Sequence, residues 1–221
     1  MAISSNSATT QILLDNSTQL LVKFLYYSAN GTDEADVLKV NVETLAQRTF
    51  ELTVANTANA YFQPGDLLIG ATSNAYAYVA EWKKATNTVV VVNLTGNTAF
   101  SGSESITIDR TKHTVPLSAF TVPARVLNIE SVWYSIDGDA TVELGFGGAY
   151  ANTTPYVGAQ MLLSGSGYFG KNALPAEITN DVLNPTGNFF ISTYTTTSAK
   201  MSYDIVVEFR KTKGFAQRPI Y

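Results

Sequence analysis

The sequence has no cysteine and a single histidine in 221 residues, and charged residues make up only 14% of it. Without cysteine there is no disulfide framework and no thiolate metal site. With one histidine, any acid–base centre would have to be built from carboxylates, lysine or tyrosine. The charged fraction is well under the roughly 25% usual for soluble domains, so Ser, Thr, Asn and Tyr must cover much of the surface. Such groups are cheaper to desolvate than ions, which suits packing against other subunits. Long apolar runs are missing too: mean hydropathy is +0.04, yet no stretch approaches the 18 residues of a membrane-spanning helix. A formal net charge of −4 argues against general nucleic-acid binding, which needs a basic surface to displace counterions. The opening MAISSNSATTQ has neither a basic n-region nor an apolar h-region, so no secretory signal is expected.

What the chain does contain is β-forming. Val, Thr, Tyr, Phe and Ile dominate and turn residues recur every few positions, the pattern of an antiparallel β fold. In Met201–Lys211, Tyr203, Ile205, Val207 and Phe209 share one face, with Ser202, Asp204, Glu208 and Arg210 opposite. Leu20, Val22, Phe24 and Tyr26 share another face, but Leu21, Leu25 and Tyr27 lie opposite them, which predicts a central strand or one covered by a neighbouring chain. Asp36–Val42, Ala124–Ile136 and Phe189–Tyr194 also read as strands, with Trp133 assigned to the core. Asp137-Gly138-Asp139 before the alternating Ala140–Phe146 reads as a hairpin turn. Gly145, Gly147 and Gly148 are expected to break that strand, and residues 149–188 to be loop-rich with a short strand near Gln160–Leu163. Helical turns are expected only around Val42–Gln47 and Ala176–Val182.

The middle of the chain has its own character. Between Phe62 and Asp109, four or five short strands with separate turns can close a small barrel, which removes exposed sheet edges. The expected fold is therefore all-β: a jelly-roll-like antiparallel β-sandwich made from residues 1–58 and 112–211, interrupted by a small inserted β-barrel module at 59–111. Two arms are expected: a polar MAISSNSATT too hydrophilic to pack, and an extended C-terminal arm at 212–221. Phe215, Arg218, Ile220 and Tyr221 on that arm are candidate partner contacts. If the arm is free, deleting Gly214–Tyr221 leaves the monomer folded and weakens assembly.

No chemistry-bearing constellation emerges. His113 lies in the polar segment DRTKHTVP without a motif that supplies a nucleophile or an orienting partner. GFGG at 145–148 and SGSGYFG at 164–170 lack the lysine and helix of a phosphate loop and read as turns or bulges. Asp33, Glu34 and Asp36, like Asp137 and Asp139, are too few in one loop for calcium, which takes six to eight oxygens. No catalytic, cofactor-binding or metal-binding residue is assigned, and no cofactor is expected. The aromatics remain. Tyr76, Tyr78 and Trp82 alternate on one face, either as a sugar-stacking platform or as the barrel core; the core reading is favoured, because amphipathic strands turn large side chains inward.

Several segments together resemble a family of virion structural proteins of tailed phages, especially marine and cyanobacterial ones. They are TTQ…LLDNSTQLLVKF, DVLKVNV, the pair RVLNIESVWYSIDG and ATVELGF, LLSGSGYF and the closing YDIVVEFRK. The similarity covers residues 1–55 and 115–211. PGDLLIGATSNAYAYVAEW and TNTVVVVNLTG look like small β modules that recur in phage tail and capsid proteins, whereas simpler family members pass directly to the Trp133 strand. The resemblance implies a non-enzymatic virion protein, assembled in the host cytoplasm as a homo-oligomer in contact with other virion proteins. The role it suggests is a capsid decoration or cement subunit. The alternatives are a head-to-tail connector, a tail-appendage protein or a carbohydrate- or receptor-binding module.

Overall fold

A computed structural model describes residues 6–55, 61–95, 99–149, 155–170, 186–195 and 200–217. Among them there is no α-helix, and the strands form an antiparallel two-sheet sandwich and a closed six-stranded barrel. In chain order the strands are β1 Ser7–Asp15, β2 Gln19–Ser28, β3 Val37–Val40, β4 Thr49–Val54, β5 Leu67–Gly70, β6 Tyr76–Lys83, β7 Thr88–Thr95 and β8 Ser105–Ile108. They continue with β9 His113–Thr121, β10 Val126–Asp137, β11 Ala140–Ala149, β12 Pro155–Leu163, β13 Ser166–Phe169, β14 Phe189–Thr195 and β15 Met201–Lys213. A 3₁₀ turn at Val42–Thr44 follows β3, capped by Asn41, whose side chain accepts from the Glu43 N–H. The other expected helical turn, Ala176–Val182, lies outside the described residues.

The sandwich has a five-stranded sheet ordered β1-β2-β15-β10-β13 and a four-stranded sheet ordered β12-β11-β14-β3. The alternation read from the sequence fixes which side chains meet. Leu20, Val22 and Phe24 of β2 and Tyr203, Ile205, Val207 and Phe209 of β15 are all buried. From the other sheet, Phe146 of β11 and Phe189 of β14 meet them, with ring centroids 4.9 Å apart for Phe189–Phe209 and 5.7 Å for Phe24–Phe189.

Asp137-Gly138-Asp139 is not a hairpin. β10 and β11 lie in different sheets, so the Asp-Gly turn is a corner between layers. Gly138 has φ +91°, and a Cβ there would stand 2.6 Å from the Lys200 carbonyl oxygen. A corner and a hairpin need the same turn chemistry, so local sequence does not separate them. β12 passes to β13 in the same way, changing sheets across Ser164 and Gly165. Nor do the glycines after Leu144 end β11; it continues through Gly145, Gly147 and Gly148, with a register shift against β12 at Leu144/Gly145. The stretch expected to be loop-rich thus carries β12 and β13.

The barrel closes in the order β4-β7-β6-β5-β8-β9, with β9 pairing back onto β4. Alternate residues of every stave fill it: Phe50, Leu52 and Val54; Leu68; Ala77 and Val79; Val89 and Val91; Ile106 and Ile108; Val115 and Leu117. The expected insertion at 59–111 is too short, because the compact unit spans Ala46–Pro123 and, of the described residues near the C-terminus, takes in 213–217. The reason is closure: without β4 and β9 the sheet would keep two open edges. By sequence alone these two strands fall in the expected sandwich.

Both expected arms also differ. From Ser7 the N-terminal segment is a strand paired with β2. At the other end Gly214–Ala216 runs beside Gln47–Thr49. The Thr49 N–H donates to the Gly214 carbonyl at 2.8 Å, the Ala216 N–H donates to the Gln47 carbonyl at 2.8 Å, and Phe215 is bridged to Arg48 and buried. Phe215 is therefore an anchor within the barrel unit and not a free contact; Arg218, Ile220 and Tyr221 lie outside the described residues. Phe215→Ala is expected to cost the barrel about 3 kcal/mol, as for other buried phenylalanines. Chemical denaturation followed by Trp82 fluorescence checks this, and Gly214–Tyr221 deletion is expected to be at least as costly.

Candidate functional site

Several of the titratable groups that the sequence raises as possible sites are engaged within the fold. Glu34 is buried; its carboxylate pairs with Lys39 Nζ at 2.5 Å and accepts from the Tyr203 hydroxyl at 2.5 Å. Burial, then the hydrogen bond to Glu34, pushes the Tyr203 hydroxyl far above its usual pKa. Asp36 accepts from Ser192 Oγ at 2.8 Å, and Asp33 from Thr193 Oγ1 at 3.4 Å. The acidic run at 33–36 is thus a tether onto β14. Among the described residues no three His, Asp or Glu side chains gather as a metal would require. His113 opens β9 opposite Ile108.

Two carboxylates hold the barrel's loops. Glu104 accepts from the Thr72 and Ser73 N–H groups at 2.9 and 3.0 Å, from Ser73 Oγ at 2.7 Å and from the Ser101 N–H at 2.6 Å. Burial alone would raise its pKa, but these four donors together hold it below the usual value. Gly70 lets this clasp form, since a Cβ there would meet Ser73 Oγ at 2.4 Å and Glu104 Oε2 at 2.7 Å. Asp66 accepts from Arg110 Nε at 2.6 Å and Nη2 at 3.0 Å, and the Arg110 hydrogen bond is the chief cause of its lowered pKa.

The three barrel aromatics do not share a face. The β6–β7 pairing shifts register between Tyr76 and Tyr78 and again between Val79 and Glu81, and the second shift, whose extra residue lies in β6, resets the alternation. Ala77 and Val79 enter the core, leaving Tyr76 outside at 43% exposure and Tyr78 half-buried. Beyond Ala80 the phase reverses: Trp82 packs on the core cluster, 4.9 Å from Phe62. A bulge adds one residue to one strand, and nothing in YAYVAEW announces it. Trp133 is likewise not in the core. It stands 40% exposed on the five-stranded sheet, stacked at 4.9 Å on Tyr168, which is 56% exposed.

The largest departure from expectation is β1. All of Ser7–Leu14 is exposed, and Ile12, Leu13 and Leu14 are 54%, 50% and 42% accessible. Its partner β2, by contrast, buries every second residue. Three consecutive aliphatic residues in a strand violate alternation, and that was the available signal in QILLD. Nearby, Ser7, Thr9, Leu25, Tyr27, Asp137 and Asp204 line a shallow depression of about 360 Å³, where Lys23 neutralises Asp204 at 2.7 Å.

Comparison with protein-family models, with curated proteins and with solved structures finds no match to this chain. Function must therefore be argued from the surfaces themselves.

A test of the carboxylate clasp follows from linkage. A carboxyl whose folded pKa lies below its unfolded value contributes stability in full above the unfolded value and loses it as pH falls through the folded one. Glu104 and Asp66 both have this sign. Barrel stability should thus be flat near neutrality and decline on acidification past the ordinary carboxylate range. Glu104→Gln should lose about 2 kcal/mol at neutral pH and show a shallower acid decline, read from denaturation midpoints across pH.

Proposed function

We propose that this chain is a structural, non-enzymatic component of a tailed-phage particle, in the first place a capsid decoration or cement subunit. It would assemble in the host cytoplasm and act in the virion through contacts with other virion proteins and with copies of itself, without a cofactor, nucleic acid or membrane. The observation that carries this reading is β1: a nine-residue strand, uncovered along its length, presenting Ile12, Leu13 and Leu14 to solvent. Apolar surface of that kind on a chain with only 14% charged residues is what a subunit keeps for a neighbour. The resemblance of residues 1–55 and 115–211 to virion proteins supplies the setting. A neck connector would use the same surface, and the mass of the assembled ring or cap distinguishes the two. Mass spectrometry and immunogold labelling of purified particles provide the test. The chain should be found in multiple copies on the capsid; its absence from intact particles would sink the reading.

A second reading, a glycan- or receptor-binding module on a tail appendage, is favoured by the outward position of Tyr76 and Tyr78. Aromatic faces that remain wet can stack on sugars. If the barrel binds glycan, Tyr76→Ala should abolish retention on a glycan array while leaving the denaturation midpoint unchanged. Equal retention of variant and parent would remove the tyrosines from consideration.

A further inference from the structure

An open sheet edge is a row of backbone donors and acceptors, and monomeric folds blunt it with short strands, proline, lysine or bulges. The sandwich has four rim strands, β1 and β13 on one sheet and β12 and β3 on the other. β13 and β3 have four residues each, and β12 opens on Pro155. β1 has nine residues, no proline and no basic side chain. Its one charge, Asp15, is held by Lys211, which is fully buried and also donates to the Asn16 carbonyl at 2.7 Å. One bulge interrupts it, at Leu13, leaving Ser7–Ile12 in unbroken register with Tyr27–Val22. Among the described residues, no strand pairs with the far side of β1.

We propose that this edge is completed by β1 of a second copy of the chain, paired antiparallel about a two-fold axis at Thr10, so that two five-stranded sheets join into one. The inference rests on the assembly reading of β1 and names its partner. A two-fold interface is isologous: if residue i faces j, then j faces i. Opposed residues in a sheet must also share a face. In β1, Ala8, Thr10 and Ile12 lie on the side of Tyr26, Phe24 and Val22, their partners in β2. An axis at Thr10 sets Ile12 against Ala8 of the second copy, Thr10 against Thr10, and Thr9 against Gln11. Large meets small on the inner side, and no charge meets a like charge. An axis at Thr9 would leave Ile12 outside the ladder, and one at Gln11 would draw the Leu13 bulge into it. Thr10 is the centre that includes Ile12 and keeps the Leu13 bulge at the end of the ladder, opposite Ser7.

The absence of cysteine makes the test direct. Opposed Cα atoms in an antiparallel pair lie about 4.5–5.5 Å apart, within disulfide reach. Thr10→Cys in the full chain is therefore expected to give a covalent dimer, twice 23.8 kDa, under mild oxidation. Leu162→Cys, at an exposed position of β12, should remain largely uncrosslinked at the same concentration. Light scattering should give the unmodified chain an even multiple of the monomer mass, and Thr10→Lys, which opposes like charges at the axis, should halve it with an unchanged far-UV spectrum. Crosslinking of Thr10→Cys no faster than of Leu162→Cys would overturn the proposal, as would a folded Thr10→Lys that keeps the parental mass. Should Thr10→Lys fail to fold, the cysteine comparison decides alone. A monomeric parent chain that is nevertheless found in particles would refute self-pairing and leave the assembly reading standing.

Discussion

Four phenylalanines hold the sandwich together. Phe24 and Phe209 come from the five-stranded sheet and Phe146 and Phe189 from the four-stranded one, and all four are fully buried. Their rings meet stacked in one pair and edge-to-face in three. Each buried side chain of this size contributes roughly 1.5–3 kcal/mol, and favourable ring geometry adds about 0.5–1.5 kcal/mol per pair. The larger consequence is positional. Because β2 must aim Phe24 at Phe189, its register is set, and with it the register of β1. The exposed rim strand is thus held by a core to which it contributes no buried side chain.

The barrel solves the same problem differently. Its core is mainly aliphatic, small on β6 and larger on β4, with Phe50 from β4 and Phe62 and Phe100 from the connecting segments. Staves as short as Leu67–Gly70 and Ser105–Ile108 cannot hold one another by area alone. Polar groups with full hydrogen bonding complete the structure: Glu104 gathers the turn after β5 and the segment before β8, and Asp66 takes Arg110 in a two-pronged pair. A buried carboxylate is tolerable only when its lone pairs are filled, and Glu104 meets that condition with four donors. Closure also removes every edge, so the barrel offers side chains and not backbone to a partner. Among the described residues, the sandwich by contrast keeps β1 as a nine-residue rim strand with no proline and no basic side chain.

That contrast bears on function. The acidic run at 33–36, which resembled a site in the linear chain, is engaged within the fold: Glu34 pairs with Lys39, and Asp33 and Asp36 accept from Thr193 and Ser192. What remains accessible includes apolar and aromatic surface: Ile12 to Leu14, the Trp133–Tyr168 stack and Tyr76. Surfaces of this composition lose little on desolvation. They suit contact with protein, and in the case of Tyr76 with a sugar ring, better than they suit bond-making chemistry.

Much of the fold was legible before any coordinates. Alternation in Tyr203–Phe209 and Leu20–Tyr26 predicted the buried faces correctly, because a half-buried strand must repeat every two residues. The all-β class and the presence of an inserted barrel were legible for the same reason. The errors fall where local pattern is degenerate. An Asp-Gly turn serves a hairpin and a layer corner alike, so the sheet change at Gly138 was invisible. A bulge costs one residue and leaves no mark, so Trp82 was placed with Tyr76 and Tyr78. β4 and β9 look like sandwich strands, and only the requirement that the barrel close assigns them to it. The want of charge and of cysteine is a property of the sequence alone, and it determines surfaces poor in ions and unlinked by disulfides. Tertiary structure decided which neutral surface stays open, because exposure of β1 depends on how far the opposing sheet extends, a long-range property that no local window contains.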